Sequence, residues 1–332
     1  DEVIGRADLL EVDPAHAEQV QRTRLDFSTL LQSLPHRDGF VRSVLEEGTH
    51  RLNERLVEDL AEHLSSPSDR EHRYEVESTD RGVLATASGT LAQRASAARR
   101  RGGPVWPETP MRIRFEGSAG QGFAAFMTPG LDVTLVGEAN DSVAKSMSGG
   151  QLVIRPPEGA KYDASRSTII GNAALYGATG GLLLVNGRAG DRFAVRNSGA
   201  HAVVEGAGLH ACEYMTNGVV VLLGPVSFNV GAGMTGGTLF LPDSESDKVN
   251  TEYLDGAELT AEDMKLLEQL LRAHVRWARG SGASWLENGR FERRLRKWVP
   301  RAQQLRVRPA ASSAVSPAAP ASSSSGHGGG IG

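Results

Sequence analysis

The residues best suited to chemistry lie between positions 201 and 213, where two histidines and two glutamates flank the only cysteine. His210 and Cys212 are two residues apart, so on a β-strand they would face the same side and could form a nucleophile and its base. The sequence supplies neither a third orienting group nor an oxyanion site, and this absence favours a buried structural Cys212. Metal binding by His201 and His210 with Glu205 or Glu213 is a weaker alternative to ordinary polar packing.

A second chemical possibility is a nucleotide site at Gly117, Gly120 and Gly122, which form the sequence GSAGQG. A dinucleotide fingerprint requires a helix to begin at such a loop. Residues 123–129 (FAAFMTP) are too few for that helix and end in proline. The sequence also lacks a Gly-Lys-Ser or Gly-Lys-Thr phosphate loop, so it gives no support to phosphoryl transfer.

The amino-acid composition disfavours several classes of binding partner and site. The 332 residues carry a formal charge of -4, without the basic excess expected of a protein that binds nucleic acid or an anionic membrane. One cysteine excludes an intrachain disulfide framework and an iron–sulfur or zinc site built from cysteines of this chain, and it fits a reducing compartment. No apolar run approaches the 18 residues of a membrane span, so we expect a soluble protein. Because the sequence begins at Asp1 rather than Met, we expect a processed or excised piece.

The elements that would have to position any site are dominated by glycine. Residues 111–242 hold 23 of the 39 glycines, and short β-type runs there begin about every 14 to 20 residues. This spacing is too short for a strand plus a crossover helix, and it indicates a coil whose successive turns share one core. The predicted fold is therefore mainly β, a parallel β-helix (solenoid), with flanking helices and a disordered C-terminal tail.

Glycine pairs recur where strands of this coil should begin, because a sharp corner needs the positive φ that glycine and then asparagine tolerate best. The predicted structural corners are Gly149, Gly150, Gly180, Gly181, Asn217, Gly218, Gly236 and Gly237. Polar side chains near neighbouring corners, Asn172 and Asp191 among them, could form ladders or salt bridges, or could dock another domain. The candidates for docking are Arg188, Arg192, Arg196 and Asn197.

Composition and periodicity divide the chain into four parts. Residues 1–110 form a lead-in of helices and short strands, in which 95–103 is predicted to be a loop, and residues 111–242 form the Gly-rich solenoid. Helices are expected in 243–305, including a basic helix over 291–299. Residues 306–332 are rich in Ala, Ser, Pro and Gly and are expected to be disordered.

Several long motifs resemble the C-terminal Gly-rich domain of glutamate synthase large subunits. They are GSAGQGFAAF (117–126), GEANDSVAKSMSGGQLVIRPP (137–157), IIGNAALYGATGG (169–181), GRAGDRFAVRNSGAHAVVEGAGLHACEYMTNG (187–218) and GAGMTGG (231–237). Segments near 248–250, 273–275 and 298–300 resemble the ferredoxin-dependent branch more than the pyridine-nucleotide branch. The chain departs from the family pattern at Gly122, Ala124, Ser142, Ala144 and Leu209.

The resemblance implies a right-handed parallel β-helix that organises the amidotransferase domain and the FMN-binding synthase domain, without catalysis of its own. In that family the whole enzyme makes glutamate from glutamine and 2-oxoglutarate, using FMN, an iron–sulfur cluster and, in one branch, ferredoxin. It implies no catalytic, cofactor-binding or metal residue in this chain, and a chloroplast stroma or a bacterial cytoplasm as its location. The alternative is a free-standing β-helix subunit of a multi-subunit oxidoreductase, and a third interpretation is an enzyme with its site between His201 and Glu213.

Overall fold

The computed structural model describes residues 48–103 and 105–301, which form one eleven-stranded sheet with five helices around it. The strands are β1 (Glu71–Val76), β2 (Met111–Ala119), β3 (Leu131–Ala139), β4 (Ser148–Arg155), β5 (Thr168–Ile170), β6 (Gly180–Ala189), β7 (Ser198–Gly206), β8 (Asn217–Leu222), β9 (Thr238–Pro242), β10 (Leu254–Ala257) and β11 (Leu295–Pro300). The helices are α1 (Gly48–Ser65), α2 (Ala85–Arg100), α3 (Ala261–Ala273), α4 (Gly282–Leu286) and α5 (Arg290–Arg294).

Consecutive strands pair in parallel, which confirms the predicted solenoid. The main path runs β1-β2-β3-β4-β6-β7-β8-β9 and closes with β11 and β10, the only antiparallel pairings among the strands described. Ile113, Val133 and Leu152 occupy one register position, as do Leu183 and Ala202 further along. Parallel pairing without crossover helices requires each turn to wind around a shared interior.

Alternation along the strands fills that interior with small aliphatic and aromatic side chains. Phe115 and Phe123 are fully buried and meet edge-to-face at 5.3 Å between ring centroids, and Tyr74 of β1 stacks on Phe115 at 5.5 Å. Leu56 and Leu60 of α1 belong to the same buried cluster. The lead-in segment therefore contributes the first strand and a cover to the solenoid core.

A second apolar cluster lies on the other face of the later strands. Val203 and Val221 pack there with Leu267 and Leu271 of α3 and with Trp285 of α4. Thr260 caps α3 through a capping box with Asp263, which the TAED sequence predicts. The C-terminal helices thus cover the sheet where its outward side chains are apolar.

Two local predictions are wrong. The segment 291–299 is not one helix, because α5 stops at Arg294 and β11 then pairs with both β9 and β10. The predicted loop at 95–103 is helical through Arg100, where α2 buries Leu91 and Ala95. In both cases sheet edge or core contacts outweigh weak local propensity. Residues 1–47 of the predicted lead-in and the tail 306–332 lie outside the described residues.

Candidate functional site

The corners of the solenoid use an alternating backbone rather than simple turns. In six successive corners three residues have φ near +60°, and each is separated from the next by one residue without positive φ. The eighteen positions are Gly122, Ala124 and Phe126; Ser142, Ala144 and Ser146; Ala173, Leu175 and Gly177; Arg192, Ala194 and Arg196; His210, Cys212 and Tyr214; Asn229, Gly231 and Gly233. Only four of the eighteen are glycine, so most occupy a region that costs an L-residue about 1–2 kcal/mol.

Hydrogen bonds to both neighbouring turns hold this backbone in place. The amides of Arg192 and Arg196 donate to the carbonyls of Leu209 and Glu213 in the next turn, at 2.7 and 2.9 Å. The amide of Ala194, between them, donates to Ala174 of the preceding turn at 2.9 Å. The three positive-φ amides of this corner therefore point alternately to the next and the preceding turn, and this pairing satisfies groups that would otherwise be buried without partners.

A ladder of Asp and Asn side chains adds a second link between corners. Asp141 accepts the amide of Asn172 at 2.7 Å, Asn172 accepts that of Asp191 at 2.8 Å, and Asp191 accepts that of Leu209 at 2.8 Å. Each residue whose amide is accepted in this ladder follows a glycine. A side chain there would be too close to the acceptor, since a Cβ on Gly208 would lie 2.1 Å from Asp191 Oδ1. The sequence analysis named such ladders as one possibility for Asn172 and Asp191, and Gly-Asn and Gly-Asp at equivalent positions of successive repeats are their signal.

The glycine pairs lie in the first residues of strands or just before them. The second residue of each pair has positive φ: 81° at Gly150, 98° at Gly181, 96° at Gly218 and 84° at Gly237. A Cβ on Gly149, Gly180 or Gly236 would lie under 3 Å from Pro129, Ser148 or Thr216 of the preceding turn, and Asn217 fills the fourth such position. Close stacking of turns therefore favours glycine at Gly149, Gly180 and Gly236, and positive φ favours glycine at the second residue of each pair.

Asn197 and Arg188, proposed above for docking, are used internally. Asn197 is completely buried, and its side chain accepts the amide of Ala200 at 2.9 Å and donates to the carbonyl of Ala200 at 2.9 Å. It therefore shapes the start of β7 and is not available to a docking surface. Arg188 donates to the Ala207 carbonyl at 3.4 Å, and its Nε is buried without a hydrogen-bond partner in the described chain.

Arg192 and Arg196, the other two residues proposed for docking, differ from Asn197 and Arg188. Both side chains are exposed, and neither guanidinium makes a hydrogen bond or ion pair with another described residue. Their backbones are fixed by the alternating corner, with φ of 61° and 56°. Of the four residues proposed for docking, these two present free cationic groups at the surface.

The structure separates Cys212 from His210, the two residues that the sequence offers as a possible nucleophile and base. Residues 209–214 form an alternating corner instead of a strand, so Cys212 points into the core while the His210 side chain is 39% exposed. Burial raises the pKa of the Cys212 thiol to about 12, which keeps it protonated and inert at neutral pH. His210 instead contacts Asn229, with Nδ1 and Nδ2 3.0 Å apart, and its Nδ1 lies 3.7 Å from Glu213.

Glu205 forms a buried clasp between the solenoid and its helical cover. Its carboxylate accepts the amide of Ser281 at 2.8 Å and the Ser281 hydroxyl, and lies 3.6 Å from Nε2 of His274. His274 Nε2 lies 3.0 Å from the Val185 carbonyl, and burial lowers the pKa of this imidazole against the opposing effect of Glu205. The neutral ring donates to Val185, while the carboxylate is held by Ser281.

His201 takes no part in either arrangement. It lies on β7 in register with Leu182 and Val219, and burial lowers its pKa. Across residues 48–103 and 105–301, no three His, Cys, Asp or Glu side chains are arranged to hold a metal ion. None of the helices described in that part of the chain is long and apolar enough to cross a membrane.

These features define a class of protein: a parallel β-solenoid with Gly-rich, alternating corners and a helical cover. Residues 53–300 match the family model described as "GXGXG motif". The chain belongs to this family.

Curated relatives place the family within a larger polypeptide. The chain is 41% identical over 287 residues to ferredoxin-dependent glutamate synthase 2, chloroplastic, of Arabidopsis thaliana, a match that covers 83% of this chain and 17% of that protein. It is 41% identical over 286 residues to ferredoxin-dependent glutamate synthase 2 of Synechocystis, covering 83% and 18%. It is 35% identical over 309 residues to the glutamate synthase [NADPH] large chain of Bacillus subtilis, covering 90% and 20%. The chain thus spans no more than one fifth of these relatives.

Proposed function

We propose that this chain is the β-solenoid domain of a glutamate synthase, and that it organises the amidotransferase and FMN-binding synthase domains without catalysing either reaction. The observation that carries the proposal is the family match over residues 53–300, which takes in nearly all of the described structure. In the whole protein, glutamine and 2-oxoglutarate would yield glutamate.

The internal use of the candidate chemical groups supports a structural role. Cys212 is buried with a raised pKa, and Glu205 binds the main chain and hydroxyl of Ser281. His210 contacts Asn229 of the next turn, which in turn accepts a hydrogen bond from Asn250 at 2.7 Å. Groups held this way contribute to stacking of turns and have no free partner with which to form a catalytic set.

The cofactors of the proposed whole enzyme are FMN and an iron–sulfur cluster, and the residues of this chain do not fit the cluster. A cluster needs several thiolates, whereas the single Cys212 is inward-facing and protonated. FMN and the cluster would therefore belong to other domains. We propose ferredoxin as the electron donor, because ferredoxin-dependent relatives reach 41% identity over 83% of this chain, whereas the NADH- and NADPH-dependent ones reach 37% and 35% over 90%. A chloroplast stroma or a bacterial cytoplasm would suit that donor.

Two measurements test this proposal. An antibody against residues 111–300 should detect, on a denaturing gel of native extract, a band several times longer than this chain; a 35.3 kDa band would instead mean a free-standing subunit. In the intact polypeptide, His210→Ala should leave glutaminase and glutamate synthase kcat within about threefold of wild type. A loss of about a hundredfold with an unchanged circular dichroism spectrum would give the His201–Glu213 segment a catalytic role.

A further inference from the structure

Five exposed side chains project from three neighbouring corners of the solenoid, and we call them the corner patch. Phe228 and Tyr214 are 68% and 57% exposed, and Leu209 is 39% exposed. Arg192 and Arg196 precede them by one turn and are also exposed. The hydrogen bonds from Arg192 to Leu209, from Arg196 to Glu213 and from His210 to Phe228 place these corners side by side.

Stacking of the turns does not require the apolar members of this patch. The ladder positions hold Asp141, Asn172 and Asp191, each of which accepts an amide from the next turn. At the next ladder position stands Leu209, which cannot accept the amide of Phe228. The chain therefore lacks this ladder hydrogen bond at the corner where it exposes Leu209 and Phe228.

At equivalent positions, the other corners of the solenoid differ from the corner patch. The row that contains Tyr214 holds Ser146 and Gly177 in earlier turns, and Phe126 lies at its far end. Apolar exposure and free arginines coincide only at the later corners described. Exposed aromatic and arginine side chains grouped together are typical of the centre of a protein interface, where they supply most of the binding energy.

The chemistry of the patch specifies its occupant. Leu209 and Phe228 require an apolar surface, while the guanidiniums of Arg192 and Arg196, which no other described residue pairs, require carboxylates beside it. The relatives are at least five times longer than the matched region, so most of the proposed polypeptide lies outside these residues. A tethered domain has a high effective concentration at this surface, which favours it over a separate protein.

We infer that the corner patch is the docking surface for another domain of the same polypeptide, which presents an apolar area bordered by Asp or Glu. This inference rests on the proposed scaffold function and adds the face that is used and the chemistry of the partner domain. The sheet face is a separate surface, because its apolar part is already covered by α3 and α4.

Hydroxyl-radical footprinting of the intact polypeptide tests whether the patch is covered. Phe228 and Tyr214 should be labelled about tenfold more slowly than in the urea-unfolded chain, at every protein concentration, because an interface centre excludes water. Labelling that matches their 68% and 57% exposure would overturn the inference. Protection that appears only at high protein concentration would mean a second copy, and would overturn it too.

A matched pair of variants separates docking from folding. Leu209→Ser with Phe228→Ser should keep the melting temperature of the solenoid, because both side chains are exposed and neither links the turns, yet increase radical labelling of Tyr214 several-fold. Phe126→Ser removes an equally exposed ring, 56% against 57% for Tyr214, and should leave Tyr214 protected. Unchanged Tyr214 protection in the double variant would contradict the inference. If the patch fails this test while His210→Ala retains full activity, only the choice of face is wrong and the scaffold proposal stands.

Discussion

The outward face of the sheet changes character halfway along the solenoid. One register row carries Arg73, Arg114 and Thr134 on β1, β2 and β3, and the same row continues as Leu184, Val203, Val221 and Phe240 on the later strands. The early members are exposed or half-buried, whereas the later ones are buried under α3 and α4. Identical backbone pairing thus supports an open charged half and a covered apolar half.

The difference shows that the solenoid backbone does not determine which side chains lie on its outer face. Interior residues stay apolar in every turn, because the shared core requires it. Outer residues follow whatever covers them: Arg114 pairs with Glu116 at 2.8 Å in the open half, and such surface pairs contribute about 0–1 kcal/mol. Burial of aliphatic side chains under the helices contributes more for each residue, about 1.5–3 kcal/mol.

The strongest way to break this comparison is to place a charge in both halves of the same row. Val203→Asp should lower the free energy of unfolding by about 4 kcal/mol or more, because the carboxylate would be buried without a partner. Thr134→Asp, in the open half, should change it by about 0.5 kcal/mol. Chemical denaturation of the intact polypeptide measures both, and equal effects would contradict an open first half.

The clasp between cover and sheet should give the next largest effect. Glu205→Ala removes the acceptor for the Ser281 amide and hydroxyl and should cost about 3 kcal/mol. Ser281→Ala removes only the hydroxyl and should cost about 1 kcal/mol. Hydrogen exchange of α3 reports whether the cover loosens; unchanged exchange in Glu205→Ala would show that the apolar contacts alone retain it.

Glycine substitutions test whether the covered half and the turn where it begins share one backbone requirement. Gly181→Val in the covered half and Gly150→Val on β4, where the outward row first becomes buried, should each cost roughly 1–3 kcal/mol, because both residues have positive φ and little space for a Cβ. The nearest atoms to such a Cβ are Met147 Cε at 2.5 Å for Gly181 and the Leu131 carbonyl oxygen at 2.6 Å for Gly150. An unchanged melting temperature for either variant would refute the assignment of that corner.

Substitutions in the Asp and Asn ladder should change the free energy of unfolding less than the glycine substitutions do. Asp191→Ala leaves the amide of Leu209 without its acceptor and should cost about 1 kcal/mol. Leu209→Asp alone should not stabilise the fold, because Ser227 precedes Phe228 where the ladder has glycine, and its Cβ would meet the new carboxylate. Thermal unfolding measures both variants, and a higher melting temperature for Leu209→Asp would show that the ladder can be extended past a residue with a Cβ.

The smallest effect concerns pH and should be confined to the covered half. Burial lowers the pKa of His274 below its ordinary value of 6.5, so the unfolded chain takes up this proton first as pH falls. Stability from the neutral ring is full above about pH 6.5 and declines below it, with Glu205 offsetting part of the loss. His274→Gln should flatten the dependence of melting temperature on pH between about 8 and 5; an identical slope would exclude His274 as its source.

Much of the architecture could be predicted from repetition in the sequence. The short β-type runs and the recurring pairs such as Gly180-Gly181 predict stacked turns, because each turn repeats one local geometry. The path of residues 291–299 could not be predicted, because β11 forms on a sheet edge supplied by distant residues. The burial of Cys212 was predicted, but the corner backbone that separates it from His210 was hidden, because non-glycine residues with positive φ have no local signature.

The sequence by itself determined the solenoid and its family, since a repeating pattern of small, apolar and Gly residues specifies contacts between equivalent positions. Only the tertiary structure decided what each polar residue does. Asn197 is interior and Arg196 is exposed, although they are adjacent in the chain, because Arg196 is the last positive-φ residue of its corner and Asn197 binds the backbone at the start of β7. The assignment of side chains to core, ladder or surface depends on that backbone and on the turns stacked to either side.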